Sequence, residues 1–513
     1  MSKTPSSKLF KLIKSLSGSE KRYFKLFVSS SKEDKHNKYK RLFDAIDAQQ
    51  VYDDNALKKL IYNNQQIHSR KYSELKAYLY ELVLKSLQSY DEKTSIDFRI
   101  KGMLQSVRVL YKRSHYDECK EMLAKIKKLA YLHEAFIFVV EALNWEKQVA
   151  YTQADIPFLD RELERINQEE TECLNKLRNI SEYQSIFYRL IIENRKDSLL
   201  RSQEKVDQLS SIMEQELLKD EEQALSKRAL LLFFRIYTLY YYSILQQEKV
   251  YEVSKKGLNL IESNPHMLNE DVSAYIAILS NFAACCGLMR RFDEVDECLH
   301  KLQKIKPKTL SDELWIHTEY YSKKFALCIF TGEFDAARQA LQQHLKELKR
   351  FDPQLFQSGR FYFQYFYIYF GSGDFDKALE YLNEWLNLPR SMERQDLQSL
   401  ARILNLIIHF EMGNAMLLEY LLRSTFRYLR SRNRVHQFER RVLGFIRDSN
   451  KIRTRKELNE AFGQLKKDFE ELSEIPSERV MFQYFDFIAW LESKIENKPF
   501  PEVVRERYQQ KHL

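Results

Sequence analysis

Residues 360–382 read RFYFQYFYIYFGSGDFDKALEYL, and the second half of that stretch returns in altered form at residues 331–341 as TGEFDAARQAL. Working outward, the same shape appears around four aromatic anchors, Tyr251, Phe292, Phe334 and Phe375. The anchors recur at a nearly constant period of about forty-one residues. A weaker copy puts Ala415 in register one period further on, and LYKRSHYDECKEMLAKIKKL has the same pattern around Tyr116. Degenerate copies are expected between Tyr116 and Tyr251. In each unit a turn ends one helix, the anchor opens the next, and apolar residues follow at steps of three and four. Pro265, Pro307, Pro353 and Pro389 each follow their own anchor by roughly four to five helical turns, where a proline stops a helix. One unit is therefore a helical hairpin that must stack on its neighbours to bury its apolar face.

The aromatic half of the opening stretch holds eight rings in eleven residues. On a helix, Tyr362, Tyr365 and Tyr369 share one side and Phe363, Phe366 and Phe370 an adjoining side. Phe366 precedes its anchor by nine residues, as Phe325 and Tyr242 precede theirs. Recurrence at one offset is what packing positions produce, so these rings read as core between repeats.

Composition supports an all-α chain. Eleven glycines in 513 residues are about 2%, against a usual ~7%. Tight-turned sheets and phosphate-cradling loops both need glycine. With 44% hydrophobic and 30% charged residues the chain is globular. Its longest purely apolar run, ALLLFF at 229–234, is far short of the ~20 residues that span a bilayer. No membrane insertion is expected. The N-terminal stretch MSKTPSSKLFKLIKSLSGSEK carries charges through what would be the core of a signal peptide, and a cytoplasmic location follows as an expectation.

TGEFDAARQAL and SGDFDKALEYL, with a later proline, resemble the second helix of a tetratricopeptide repeat. The resemblance rests on Gly332, Phe334, Ala337 and Leu341, and on Gly373, Phe375, Ala378 and Pro389. Less closely, LSGSEKRYFKLF and WLESKIENKPF resemble the ends of uncharacterised tetratricopeptide-like proteins from Bacteroidota. The period is longer than the roughly thirty-four of that family, which implies longer helices. The resemblance implies an all-α, TPR-like α-solenoid of stacked hairpins over residues 101–434. Residues 1–100 are expected as an N-terminal helical cap, and residues 435–513 as a C-terminal helical cap ending in a proline-marked, loosely held tail. Within the N-terminal part, Ser17 to Glu20 reads as a capping box. The short helix before Arg70 and Lys71 also fits a DNA-reading helix-turn-helix.

The resemblance further implies that the first helix of each hairpin lines a groove. Counting back from the anchors, Arg360, Phe363 and Tyr367, with Glu319, Ser322 and Ala326, would contact a peptide or protein partner. The Lys/Asn clamp with which some family members hold a C-terminal carboxylate is absent at these offsets, where Ser243, Ala284, Ala326 and Tyr367 stand. The function so implied is a non-catalytic protein–protein interaction scaffold or adaptor.

A second surface follows from charge. The net charge of +9 is concentrated near the two ends, at +9 over residues 1–41 and +10 over residues 423–456. In RSTFRYLRSRNR, Arg423, Arg427, Arg430 and Arg434 fall on one helix face with Phe426 and Tyr428 interleaved. That face fits a solvated surface or an acidic neighbouring repeat, and equally an acidic protein partner or a nucleic acid. The alternative function is accordingly a nucleic-acid- or ribosome-associated protein, or a transcriptional regulator. No phosphate loop, dinucleotide fingerprint, zinc-protease motif or nucleophile elbow occurs, and no enzyme activity or cofactor is expected. Cys285, Cys286, Cys298 and Cys328, near His300 and His317, lack the paired spacing of a zinc site and read as small core residues, so no metal is expected.

Overall fold

The structure is a computed structural model describing residues 7–29, 34–62, 69–196, 203–270, 272–351, 361–388, 395–431, 435–449 and 452–510. Among these residues every regular element is helical and no strand occurs, as the scarcity of glycine and the three- and four-residue periodicity require. No helix among them is long and apolar enough to cross a membrane. Pro353, Pro389, Arg360 and Arg434 lie outside the described residues.

One turn recurs along the chain. Ser114, Glu134, Ala154, Leu245, Arg290, Gly332, Gly373 and Gly413 all have φ between 51° and 77°, and a helix starts two residues after each, at Tyr116, Phe136, Ile156, Gln247, Phe292, Phe334, Phe375 and Ala415. A single left-handed residue reverses the chain between antiparallel helices. The helices it joins pack against each other, Leu310–Thr331 on Phe334–Leu348 and Tyr362–Gly371 on Phe375–Leu386 among them. Counted from its own start, each second helix buries its fourth residue: Cys119, Val250, Val295, Ala337, Ala378 and Leu418. The eleventh is buried in all of them too, as Ile126, Gly257, Leu302, His344, Trp385 and Thr425.

That register corrects one anchor. Tyr251 does not open its helix; Gln247 does, so the unit is displaced by four residues from the aromatic alignment. Tyr242 is accordingly 54% exposed, whereas Phe325 and Phe366 are fully buried. The turn residue here is Leu245, and a leucine gives no sign in the sequence that it holds a left-handed φ.

Phe334 and Gly371 explain the closeness of neighbouring hairpins. A Cβ at Gly371 would stand 2.0 Å from the Phe334 ring, so the anchor ring of one unit occupies the space a side chain would take on the next. The eight rings of the opening stretch lie where packing positions belong. Phe361, Tyr365, Phe366, Tyr367, Tyr369 and Phe370 are buried, and Tyr362 and Phe363 are half-buried.

Between Tyr116 and Tyr251 the expected degenerate units are only partly present. Helices Tyr116–Leu132 and Phe136–Thr152 keep the twenty-residue rhythm, but Ile156–Lys196 runs unbroken for 41 residues, about 60 Å. It packs against both Phe136–Thr152 and Lys227–Ser243.

The two ends differ. The described residues between Leu9 and Val83 form a core of their own that includes Phe24 and Phe43, whose rings stack at 4.3 Å. The Ser17–Glu20 capping box forms, with the Ser17 N–H donating to Glu20 Oε2 at 2.6 Å and the Glu20 N–H to Ser17 Oγ at 3.3 Å. At the other end, no separate core occurs among the described residues. Phe438, Phe469, Phe485, Phe487 and Trp490 share one buried cluster with Phe325, Phe366 and Leu404. The expected loose tail is instead a helix, Phe500–Gln510, with Val503 and Val504 buried. Its Arg505 Nη2 donates to the Gly332 carbonyl at 3.3 Å, and Tyr508 meets the Phe292 ring edge-on at 5.3 Å. Phe500 accounts for the docking: its ring packs 5.8 Å from both Phe334 and Phe370, so apolar burial outweighs the freedom of a chain end.

Candidate interaction surface

Of the positions expected to line a groove, those among the described residues pack against the chain itself. The Tyr367 ring lies 4.8 Å from Phe485, and its hydroxyl accepts the Asp486 N–H at 2.9 Å. Burial pushes that phenol well above its ordinary value. Phe363 packs on Trp385 at 5.1 Å and on Tyr484 at 6.3 Å. Tyr367 is therefore buried beneath the C-terminal segment, and Phe363 is half-buried against it. Glu319 is buried and accepts from Ser280 Oγ, from Trp315 Nε1 at 3.3 Å and from Lys323 Nζ at 3.3 Å. It links the Val272–Leu288 and Leu310–Thr331 helices. Ser322 is half-buried, and its carbonyl accepts Gln364 Nε2 at 2.8 Å, which joins one hairpin to the next. Ala326 is half-buried beside them.

The Arg-rich segment is placed differently. Helix Ala415–Ser431 buries Leu418, Thr425 and Leu429 and turns Met416, Tyr420, Arg423, Phe426, Arg427 and Arg430 outward. Met416 is 93% exposed and Tyr420 64%, unusual values for large apolar side chains. Arg423 Nη2 holds Glu419 Oε1 at 2.5 Å. Tyr428 faces inward instead, with the Arg402 guanidinium 4.1 Å from its ring. Arg440, Arg447, Arg453, Arg455 and Lys456 are exposed nearby in sequence. Among the described residues of this region, Arg441 pairs with Asp468 at 3.4 Å and Arg447 with Asp448 at 2.8 Å.

At the N-terminal end, Arg70 is exposed and pairs with Glu74 at 2.9 Å, and Lys71 is exposed beside it. The turn between Asp54–Ile61 and Ser69–Thr94 lies outside the described residues. Helix Ser69–Thr94 spends its apolar face, Tyr72, Leu79, Leu82 and Val83, on the N-terminal core.

The four clustered cysteines are buried inside helices. Desolvation pushes the Cys285 thiol up to about 11 and Cys298 up to about 12, so they are inert as nucleophiles near neutrality. Among the described residues no group of three or more His, Cys, Asp or Glu side chains is placed to hold a metal ion.

One buried polar chain went unread in the sequence. Tyr365 Oη lies 2.6 Å from His344 Nε2, His344 Nδ1 lies 3.0 Å from His317 Nε2, and His317 Nδ1 lies 3.4 Å from Glu347. The carboxylate at one end fixes the direction. With His317 Nδ1–H turned toward that carboxylate, His344 donates to His317 and the Tyr365 hydroxyl donates to His344. The two histidines sit on different helices, Leu310–Thr331 and Phe334–Leu348, and meet only through the fold. Their only trace in the sequence is His344 at the buried eleventh position of its helix.

No protein-family model matches the sequence, and no curated protein matches it.

Proposed function

We propose that this chain is a non-catalytic binding scaffold, a solenoid of tetratricopeptide-like hairpins that holds a protein partner. Its hairpins repeat with a period of about forty-one residues. What supports the repeat reading is the recurrence of the left-handed turn at Leu245, Arg290, Gly332, Gly373 and Gly413. The N-terminal core of residues 9–83 and the docked C-terminal helices serve as the caps such a stack needs.

The observation that carries the binding reading is the outward face of helix Ala415–Ser431, where Met416, Tyr420 and Phe426 stand exposed among Arg423, Arg427 and Arg430. Methionine, aromatic residues and arginine are the side chains enriched in protein interfaces, and the cationic heads select an acidic surface. The partner is therefore an acidic protein segment carrying apolar side chains. Because the chain's own C-terminal segment covers Phe363 and Tyr367, the partner meets this outer face and not those two residues.

Fluorescence anisotropy with labelled acidic amphipathic peptides tests the reading. Wild-type protein should bind, and Arg427→Glu with Tyr420→Ala should weaken binding about 100-fold, roughly 2.7 kcal/mol. Equal binding by wild type and variant removes the surface from consideration. The exposed Arg440, Arg453, Arg455 and Lys456 favour a second reading, nucleic-acid binding. That reading requires affinity for duplex DNA or RNA that falls steeply with salt, and it fails if no binding occurs at low salt.

A further inference from the structure

The long helix Ile156–Lys196 carries a feature separate from the Arg-rich face. Ile156, Leu163, Leu174, Tyr188 and Ile192 are all exposed, Leu174 at 50% and Ile156 at 64%. At 100° per residue these five side chains fall within an arc of about 40°. They form one stripe about 54 Å long, with Glu170 inside its arc reaching back to Lys147 at 2.9 Å. Near its N-terminal end the surface dips into a shallow depression lined by Leu159, Asp160, Leu163, Asn167 and Thr171.

The spacing along this stripe is self-complementary. Leu174 is its midpoint, with Ile156 as far before it as Ile192 lies after it. A second copy running antiparallel about a two-fold axis at Leu174 sets Leu174 against its own equivalent and Ile156 against Ile192 at both ends. In such a pair each flank meets the same flank of the partner helix. On one flank Asp160 comes opposite Arg189, and both are exposed. On the other, Leu159 comes opposite Tyr188. The acidic residue lies at the N-terminal end of the stripe and the basic residue at its C-terminal end, so only the antiparallel arrangement brings unlike charges together, and it does so twice.

We propose that this face is a homodimer interface, with two copies of the chain pairing antiparallel along Ile156–Lys196 about a two-fold axis at Leu174. An isologous contact of this kind closes on itself and gives a dimer rather than a fibre.

Sedimentation velocity of the full chain from about 1 to 100 μM tests the proposal, since a dimer dissociates on dilution. The expected result is a monomer–dimer equilibrium in this range. Leu174→Glu places two carboxylates on the axis and should weaken it by about 100-fold. Leu174 is on the surface, so its replacement leaves helix content unchanged, which far-UV circular dichroism checks. Asp160→Arg and Arg189→Asp should each weaken dimerisation about tenfold. Combined in one chain they should restore it to within about threefold of wild type. A chain that stays monomeric to the top of the range, a dimer indifferent to Leu174→Glu, or a charge swap without rescue each overturns the proposal.

Discussion

Among single residues, the buried histidines give the sharpest expectation. Burial holds His317 down to about 4 and His344 down to about 3, against an ordinary value of 6.5. Glu347 works in the opposite direction on His317, and Arg350 reinforces the lowering. Both imidazoles are therefore neutral in the folded chain at pH 5, where the unfolded chain protonates them. Their effect on stability is nil above about pH 6.5, and it turns against folding as pH falls from there toward 4. Each imidazole costs about 1.4 kcal/mol per pH unit across that window. In chemical denaturation between pH 6.5 and 4.5, His344→Gln should remove about one such slope while keeping a hydrogen bond to Tyr365. An unchanged slope would show that His344 is already charged in the native state. Nothing in the sequence announced this chain, because hydrogen bonding between His317, His344 and Tyr365 depends on three helices meeting.

Among elements, the recurring turn governs cost. Glycine holds the left-handed φ at Gly332, Gly373 and Gly413, but Ser114, Glu134, Ala154, Leu245 and Arg290 hold it elsewhere. A side chain there costs about 1–2 kcal/mol. Ala154 is exposed, so Ala154→Gly loses only a methyl group in water and should raise stability by about 1 kcal/mol, read from the midpoint of urea unfolding. Gly332→Ala should do the reverse and more. Its φ is +77°, and a Cβ would stand 2.9 Å from the Arg505 nitrogen and from the Pro501 oxygen, both backbone atoms. A loss of about 3 kcal/mol is expected, with hydrogen exchange accelerated in helix Phe500–Gln510. The glycine turns were legible in the sequence, and with them the hairpins at Phe334 and Phe375. The four-residue slip at Tyr251 was not, since Leu245 does the same work without the same letter.

The whole molecule is decided by where its C-terminal segment goes. Phe485 is fully buried and packs on Tyr367 at 4.8 Å and on Phe370 at 5.2 Å. Trp490 Nε1 donates to Glu411 Oε1 at 2.7 Å, and Lys494 pairs with the same carboxylate. These contacts bind residues 476–510 into the core of the hairpins. Phe485→Ala should therefore cost about 3–5 kcal/mol. Hydrogen exchange should rise in Tyr362–Gly371 as well as locally, and stay unchanged in the N-terminal bundle, whose core is separate. Loss of protection confined to residues 476–510 would mean that the segment is an appendage and not part of that core.

The sequence alone determined that the chain is helical, where several hairpins turn, and that its run of aromatic rings is packing material. Those properties rest on local forces, on glycine scarcity, helical periodicity and turn chemistry that act within one hairpin. Only the tertiary structure decided that Tyr367 and Phe363 are covered, that the tail is docked, and that two histidines and a tyrosine join in one hydrogen-bonded chain. Each of these brings together residues far apart along the chain. No local pattern encodes which apolar face will cover which.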